Sequence, residues 1–273
     1  MSRKFKGWLG RGYRRLFVRK RFYRLHHVLF RLAVHGLGIQ NSGSFGSSGE
    51  RHFISQLARG WPAGAVVLDV GANEGGYAAQ VLAQHPGVQV YAFEPHPETF
   101  DRLSAQAAQR GFKAFHLACG DQPGRITLFD YAERDGSTHA SVYRAVFDDL
   151  HEAPVKAHEV DVTTLDEFIR MHGLAHIDLL KIDTEGHELS VLQGAHEALR
   201  RAMIDVIQFE FNEMHVISRV FMRDFARLLE GFRLYRLLPD GAVPLPHYRP
   251  MDWELFGDQN IVAVRGEAGI RIE

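Results

Sequence analysis

Val66-Val67-Leu68-Asp69-Val70-Gly71-Ala72-Asn73-Glu74-Gly75-Gly76-Tyr77 is an apolar, β-branched run that ends in a carboxylate and then passes through glycines into a helix start. The run suits a strand buried on both faces of a parallel sheet, and Gly71, Gly75 and Gly76 let backbone approach whatever lies above the strand end. Further on, Val88-Gln89-Val90-Tyr91-Ala92-Phe93-Glu94 repeats the pattern and ends in a second carboxylate. An acid at the end of the second strand of a doubly wound sheet is placed to accept two hydrogen bonds from a ribose diol. A nucleoside site at the carboxyl edge of the sheet follows.

The turn selects the nucleoside. A dinucleotide fold places G-x-G-x-x-G under a pyrophosphate at a helix N-terminus. Here the order is Asp69-x-Gly71-x-x-x-Gly75, and the first position is a carboxylate. A carboxylate facing a pyrophosphate is repelled, whereas one facing the ammonium of a methionine moiety, directly or through water, is stabilised. The pattern points to S-adenosylmethionine, with Asp69, Gly71, Asn73 and Gly75 at the methionine end and Glu94 on the ribose. A nicotinamide site, or a strand and turn with no ligand, are the competing readings of the same residues.

Working outward, a helix through Phe53, Ile54 and Leu57 precedes the first strand, and helices are predicted over 75–84 and 97–110, the latter opened by Pro97. Strands are predicted over 113–118 and 177–183, within 202–211, and over 232–238 and 260–265, with 125–131 an extra strand outside the central order. Thr164-Leu165-Asp166-Glu167 reads as a capping box. Leu189, Leu192, His196 and Leu199 form one helical stripe, which makes His196 a core or edge residue. The pattern predicts a single α/β domain over 50–273 behind an N-terminal extension, 1–49, whose Gly/Ser-rich end reads as a linker.

At 273 residues, 45% hydrophobic and 24% charged, the chain is large enough for a full core. Its single cysteine, Cys119, excludes an internal disulfide framework and a cysteine zinc site. No apolar run approaches the roughly 18 residues of a membrane span, and no signal-peptide core is evident, so a cytoplasmic protein is expected. Charge is segregated: residues 1–49 hold eleven of the 32 Lys and Arg and none of the 33 Asp and Glu. Interleaved with Phe17, Phe22, Leu25, Leu29 and Phe30, these cations suit a helix on an anionic membrane surface, each worth on the order of 1 kcal/mol there. Residues 1–40 are thus expected to place the enzyme peripherally on the inner face of the cell membrane. The other reading docks them on the protein's own acidic body. One basic aromatic segment is too little to indicate nucleic acid.

Val67-Leu68-Asp69-Val70-Gly71-Ala72-Asn73, Phe93-Glu94-Pro95, Thr163-Thr164-Leu165-Asp166-Glu167-Phe168 and Lys181-Ile182-Asp183-Thr184-Glu185-Gly186-His187-Glu188, in that order, resemble the FkbM family of S-adenosylmethionine-dependent methyltransferases over about residues 50–265. The resemblance implies a class I methyltransferase fold, a seven-stranded, mostly parallel, Rossmann-like sheet with helices on both faces and the last strand antiparallel. It also implies O-methylation of a natural product or sugar hydroxyl, often in bacterial surface-polysaccharide synthesis. Asp121 matches the position at which related folds contact adenine N6, although a Gly-Asp turn explains it as well.

A sugar hydroxyl is a weak nucleophile, so a base or a metal is useful. The loop after strand 177–183 should lie beside the transferable methyl, which nominates His187 as base, assisted by Glu185 or Asp183. Asp183 with Glu210 or Asn212 offers ligands for Mg²⁺. Strand-end carboxylates are common without an ion, and no metal is assigned. Ser137, Thr138, His139 and Ser141, and Tyr248, Met251, Asp252, Trp253 and Glu254, are candidates for an acceptor pocket. The alternatives are an enzyme acting on another small molecule or an amine, and a non-catalytic nucleoside-binding scaffold in a glycan-assembly complex.

Overall fold

The computed structural model describes residues 11–41 and 44–266. The parts of the extension and linker at 1–10 and 42–43, and residues 267–273, lie outside the described residues. In chain order the strands are β1 (Val66–Val70), β2 (Gln89–Phe93), β3 (Lys113–Phe115), β4 (Ala118–Cys119), β5 (Gly124–Tyr131) and β6 (Val155–Thr163). They continue as β7 (Ile177–Ile182), β8 (Ile204–Phe211), β9 (Phe232–Leu238), β10 (Gly241–Pro244) and β11 (Gln259–Arg265). The helices used below are α1 (Tyr23–Gly36), α2 (Glu50–Ala58), α3 (Gly76–Gln84), α4 (Pro97–Arg110), α5 (Leu165–His172), α6 (Glu188–Gln193) and α7 (His196–Arg200).

The central sheet runs β10-β9-β11-β8-β7-β1-β2-β3. β1 pairs in parallel with β2 and β7, and β11 is antiparallel to both β8 and β9. This is the class I methyltransferase order, with β10 added as an eighth strand at the edge. β10 escaped the sequence reading because a short strand that starts at Gly241 and ends at Pro244 lacks the usual signal and is tolerated only at an edge. β1 and β7 are buried along nearly their whole length, Asp69, Asp178 and Lys181 included, because helices cover both faces. One face packs Leu68, Val70, Phe93 and Ile182 against Phe168, Leu192 and Phe225. The other packs Val67, Val90 and Val206 against Phe53, Val81 and Leu103.

Three departures from the sequence reading bear on the site. The strand expected at 113–118 is divided: β3 stays in the central sheet while β4 crosses to a small sheet ordered β4-β6-β5. Its pairing partner β6 was missed because its outward residues Lys156, Glu159 and Asp161 are exposed and polar. The extra strand at 125–131 is β5, outside the central sheet as expected. The stripe through 189–199 breaks into α6 and α7 at Gly194, where a β-carbon would overlap the Gly120 carbonyl, and His196 is exposed.

The Gly/Ser stretch is no loose spacer where it is described. Ile39 and Ser48 are buried, and Phe45 packs beside Gly76 at the start of α3. No helix among the described residues is long and apolar enough to cross a membrane.

Candidate functional site

A cavity of about 400 Å³ opens where β1, β2, β7 and β8 end. Its size suits a small-molecule ligand. Val70, Gly71, Asn73, Glu94 and Pro95 line it together with Asp183, Thr184, Glu185 and His187. Leu117, Ala118 and Cys119 contribute apolar surface, and Ser137, Thr138 and His139 reach over from the loop after β5.

Glu94 is the best-prepared ligand for a diol. Its Oε2 accepts from the Asn73 amide (2.9 Å) and its Oε1 from the His96 amide (2.8 Å). These two bonds fix the carboxyl while it faces the cavity. Burial nevertheless pushes its pKa up to about 7. Asn73 holds a left-handed backbone (φ 48°), and its Nδ2 donates to the Ser137 carbonyl at 3.4 Å, tying the β1 turn to the loop opposite.

Asp69 does not line the cavity. Side chains alternate along a strand, so Asp69 shares the side of Val67 and projects toward α2 and α3. There it lies beside Lys181, and Lys181 beside Gln208, in register across β1, β7 and β8. Asp69 is 1% exposed, its Oδ2 has no hydrogen-bond partner, and burial, opposed by Lys181, raises its pKa to about 7.

Gly71 lines the cavity, yet its neighbours explain why it is glycine: φ is +79°, and a β-carbon would overlap the Asp183 carbonyl oxygen. Gly75, at φ +86°, begins α3 away from the cavity and is packed by Leu103 and Phe112. Asp121 also lies outside, where its Oδ1 accepts from Ser190 Oγ at 3.0 Å.

The loop after β7 brings together all three nominated catalytic residues. Burial alone would raise Asp183, but Lys181 Nζ at 2.9 Å holds it below the usual carboxylate range. Glu185 is pushed up to about 7 by burial. Its Oε2 accepts from Asn212 Nδ2 (3.1 Å) and its Oε1 lies 3.5 Å from His139 Nδ1. Glu185 lifts the His139 pKa in turn. Burial lowers that of His187, whose Nδ1 is 3.4 Å from the Tyr143 hydroxyl.

Sequence reasoning missed the residues that shape these loops. Glu188, fully buried, accepts from the Thr184 amide (2.7 Å), the Thr184 hydroxyl (3.2 Å) and the Gly186 amide (3.0 Å). Asp130, also buried, accepts from the Gly136 and Ser137 amides at 2.8 Å and from Ser137 Oγ. Asp258, from the segment before β11, lines the cavity together with Glu210. The motif at 181–188 was a signal for Glu188. Asp130 had none beyond the Ser137 loop that follows it.

The second candidate acceptor segment lies elsewhere. Trp253 is buried with its Nε1 donating to the Pro246 carbonyl, and Tyr248 donates to Glu254. Both anchor the connection before β11.

Among the described residues, Asp183, Glu185 and Glu210 form one group that could hold a metal ion, and His96, Asp135 and His158 another. In each, one carboxylate is already neutralised by an ammonium: Lys181 on Asp183, Lys156 on Asp135. Glu210 is held well above its usual pKa by burial and by Asp183, which weakens it as a ligand.

The family described as Methyltransferase FkbM domain matches residues 69–234. The 2-O-methyltransferase NoeI of Sinorhizobium fredii is 28% identical over 207 residues, covering 70% of this chain and 81% of that one. The 31-O-demethyl-FK506 methyltransferase FkbM of Streptomyces tacrolimicus is 34% identical over 158 residues, 50% of this chain and 61% of the relative. The hexuronic acid methyltransferase AglP of Haloferax volcanii is 28% identical over 197 residues, 68% of this chain and 70% of the relative. Among solved structures, the precorrin-6y C5,15-methyltransferase of Geobacter metallireducens aligns over 79% of this chain and 87% of that one, at a TM-score of 0.39 and 11% identity.

Proposed function

The chain belongs to the FkbM methyltransferase family, and from that premise we propose that it transfers a methyl group from S-adenosylmethionine to a hydroxyl of a saccharide or a saccharide-bearing lipid. The observation that carries this reading is one cavity lined both by Glu94 and Asn73 and by Asp183, Glu185 and His187. The name of one relative specifies a hexuronic acid, which supports a saccharide acceptor, and that of another a 2-O position, which supports transfer to oxygen.

S-adenosylmethionine would supply a methyl group already activated on a sulfonium. Glu94 would accept from the ribose hydroxyls, Asn73 and the Gly71 backbone would border the methionine end, and Asp69 would act on its ammonium from behind the wall through the field of its carboxylate. Asp121, which lies outside the cavity lining, is kept as an adenine contact through its other carboxylate oxygen. The chain's main task is alignment, which supplies roughly 7–11 kcal/mol in favourable cases.

We assign the base to Glu185. A base is most effective when its pKa lies near the working pH, and Glu185, at about 7, meets that condition while Asn212 and His139 hold its two oxygens. His187 lines the same cavity and stays neutral, so it serves as an alternative acceptor of the proton. Asp183, paired with Lys181, positions the loop. No metal is assigned, and the reaction is placed in the cytoplasm.

The test is incubation of the purified chain with S-adenosylmethionine and a panel of saccharides, glycolipids and amine acceptors, read by mass spectrometry. A single-methyl increment on a saccharide hydroxyl is expected. Methylation confined to amines would overturn the acceptor class.

A further inference from the structure

Helix α1 divides into two faces. Phe30 and Val34, with His27 and Arg31, line a cleft against Leu255, Phe256 and Gly257. On the other face Leu25, Val28, Leu29 and Leu32 recur at the i, i+3, i+4, i+7 spacing of a helical stripe. Among the described residues that stripe stays largely exposed: its four residues are 51%, 52%, 48% and 63% exposed, and α1 buries no residue. A contiguous exposed aliphatic stripe marks an interaction surface.

The preceding helical residues account for other apolar groups of the extension. Tyr13 donates to or accepts from His26 Nε2 at 2.7 Å, and the rings of Tyr13 and Phe17, and of Phe17 and Phe22, lie 5.2 and 5.4 Å apart. They do not cover the aliphatic stripe.

Charge decides what does. Residues 1–49 contain eleven cations and no carboxylate. A second copy of the helix would bring like charge against like charge, whereas an anionic surface neutralises Arg24 and Arg31 flanking the stripe as the aliphatic groups enter it. The acidic body does not serve either, because α1 stands with its stripe in solvent and not on the domain.

We propose that α1 lies in the interface of an anionic lipid bilayer, its Leu25-Val28-Leu29-Leu32 stripe inserted among the acyl chains and its cations among the phosphates. The attachment reaches the cavity. After α1 the chain turns at Ile39, 1% exposed, and the Gln40 amide donates to the Asp258 carbonyl at 2.6 Å, while Asp258 lines the cavity. A bilayer-bound α1 is thereby joined through Gln40 to a residue of the cavity lining, which keeps the cavity within reach of a lipid-borne acceptor. The docking itself does not depend on the methyl-transfer reading.

The test is cosedimentation of the full chain with vesicles of phosphatidylcholine alone and of an equimolar phosphatidylcholine–phosphatidylglycerol mixture. Binding to the anionic vesicles is expected to be about tenfold or more tighter. It should weaken at about 1 M salt, where the Debye length falls to about 3 Å. Leu25→Gln with Leu29→Gln and Leu32→Gln should lower binding to anionic vesicles at least about tenfold with an unchanged melting temperature, since the stripe is already in water. Arg24→Glu with Arg31→Glu should remove the preference for anionic lipid. Equal binding to both vesicles, no binding to either, or a soluble dimer that the Leu→Gln variant dissociates would each overturn the proposal.

Discussion

His215 Nε2 and Glu188 Oε2 meet at 3.0 Å with neither side chain exposed to solvent. The Asn212 amide donates to His215 Nδ1 at 3.2 Å, which leaves the proton on Nε2, facing Glu188. Glu188 in turn receives the Thr184 and Gly186 amides. The loop carrying Asp183, Glu185 and His187 is thus held from beneath by one buried carboxylate anchored to the segment after β8.

His215→Phe should therefore destabilise the fold by about 2 kcal/mol, the value of a hydrogen bond to a buried charged group, as measured by urea denaturation. Burial alone would raise the Glu188 carboxyl, but His215 and the loop amides bring it below its ordinary value of 4.5. A depressed carboxylate adds stability that is complete above the unfolded value and is lost as pH falls through the folded one. Wild-type stability should accordingly decline on acidification below 4.5, and His215→Phe, by raising the folded value toward the unfolded one, should shrink that decline.

Glu94 titrates in the opposite sense. Its pKa in the free protein is about 7, so near neutrality a large fraction is protonated and poor at accepting from two ribose hydroxyls. S-adenosylmethionine affinity should rise from pH 6 toward a plateau above about 8, by up to roughly tenfold per pH unit on the acid side. Glu94→Gln should flatten the profile, and Glu94→Ala should cost about 2 kcal/mol, roughly thirtyfold in affinity by calorimetry. A pH-independent wild-type affinity would remove Glu94 from the ribose.

Much of this was legible in the sequence because strand ends are. The runs at 66–70, 89–93 and 177–182 fix three neighbouring parallel strands, and the ends of the latter two place Glu94, Asp183, Glu185 and His187 around one cavity. Which way an end residue points is a different matter. Asp69 and Val70 are equally terminal, and only the sheet's orientation relative to α2 and α3 sends Asp69 behind the wall. Long-range closures were also hidden: nothing local in Asp130 or Asp258 tells that one folds the 136–137 loop and the other lies beside Glu210.

Gly71 illustrates the same limit. The sequence reading made it glycine for the ligand, whereas the structure gives the Asp183 carbonyl as the nearer reason. Gly71→Ala should destabilise the protein by about 3 kcal/mol or more, through overpacking and a left-handed backbone. A variant with native melting temperature but lost cofactor affinity would return the residue to a ligand role.

Lys181 bears on metal dependence. With its ammonium on Asp183 and the Glu210 carboxyl pushed well above its ordinary value by burial and by Asp183, this group is a weakened set of ligands for Mg²⁺. Activity should stay within about twofold after EDTA dialysis. A loss restored specifically by Mg²⁺ would assign the ion to Asp183, Glu185 and Glu210.

The base can be identified from the acid limb of kcat/KM for the acceptor, measured with S-adenosylmethionine saturating so that Glu94 does not intrude. That limb reports the essential base of the enzyme–cofactor complex that meets the acceptor. Glu185, raised by burial to about 7, predicts a rate that climbs through neutrality. His187, lowered by burial from 6.5, predicts a rate already level there and falling only at lower pH. Glu185→Gln should lower kcat by about 10²–10⁴ with cofactor affinity intact. His139→Ala should move the limb upward, because the imidazolium that favours ionised Glu185 is gone, while reducing kcat less than Glu185→Gln does. A limb well below 6.5 that vanishes in His187→Ala would transfer the role to His187 and leave Glu185 as a positioning residue.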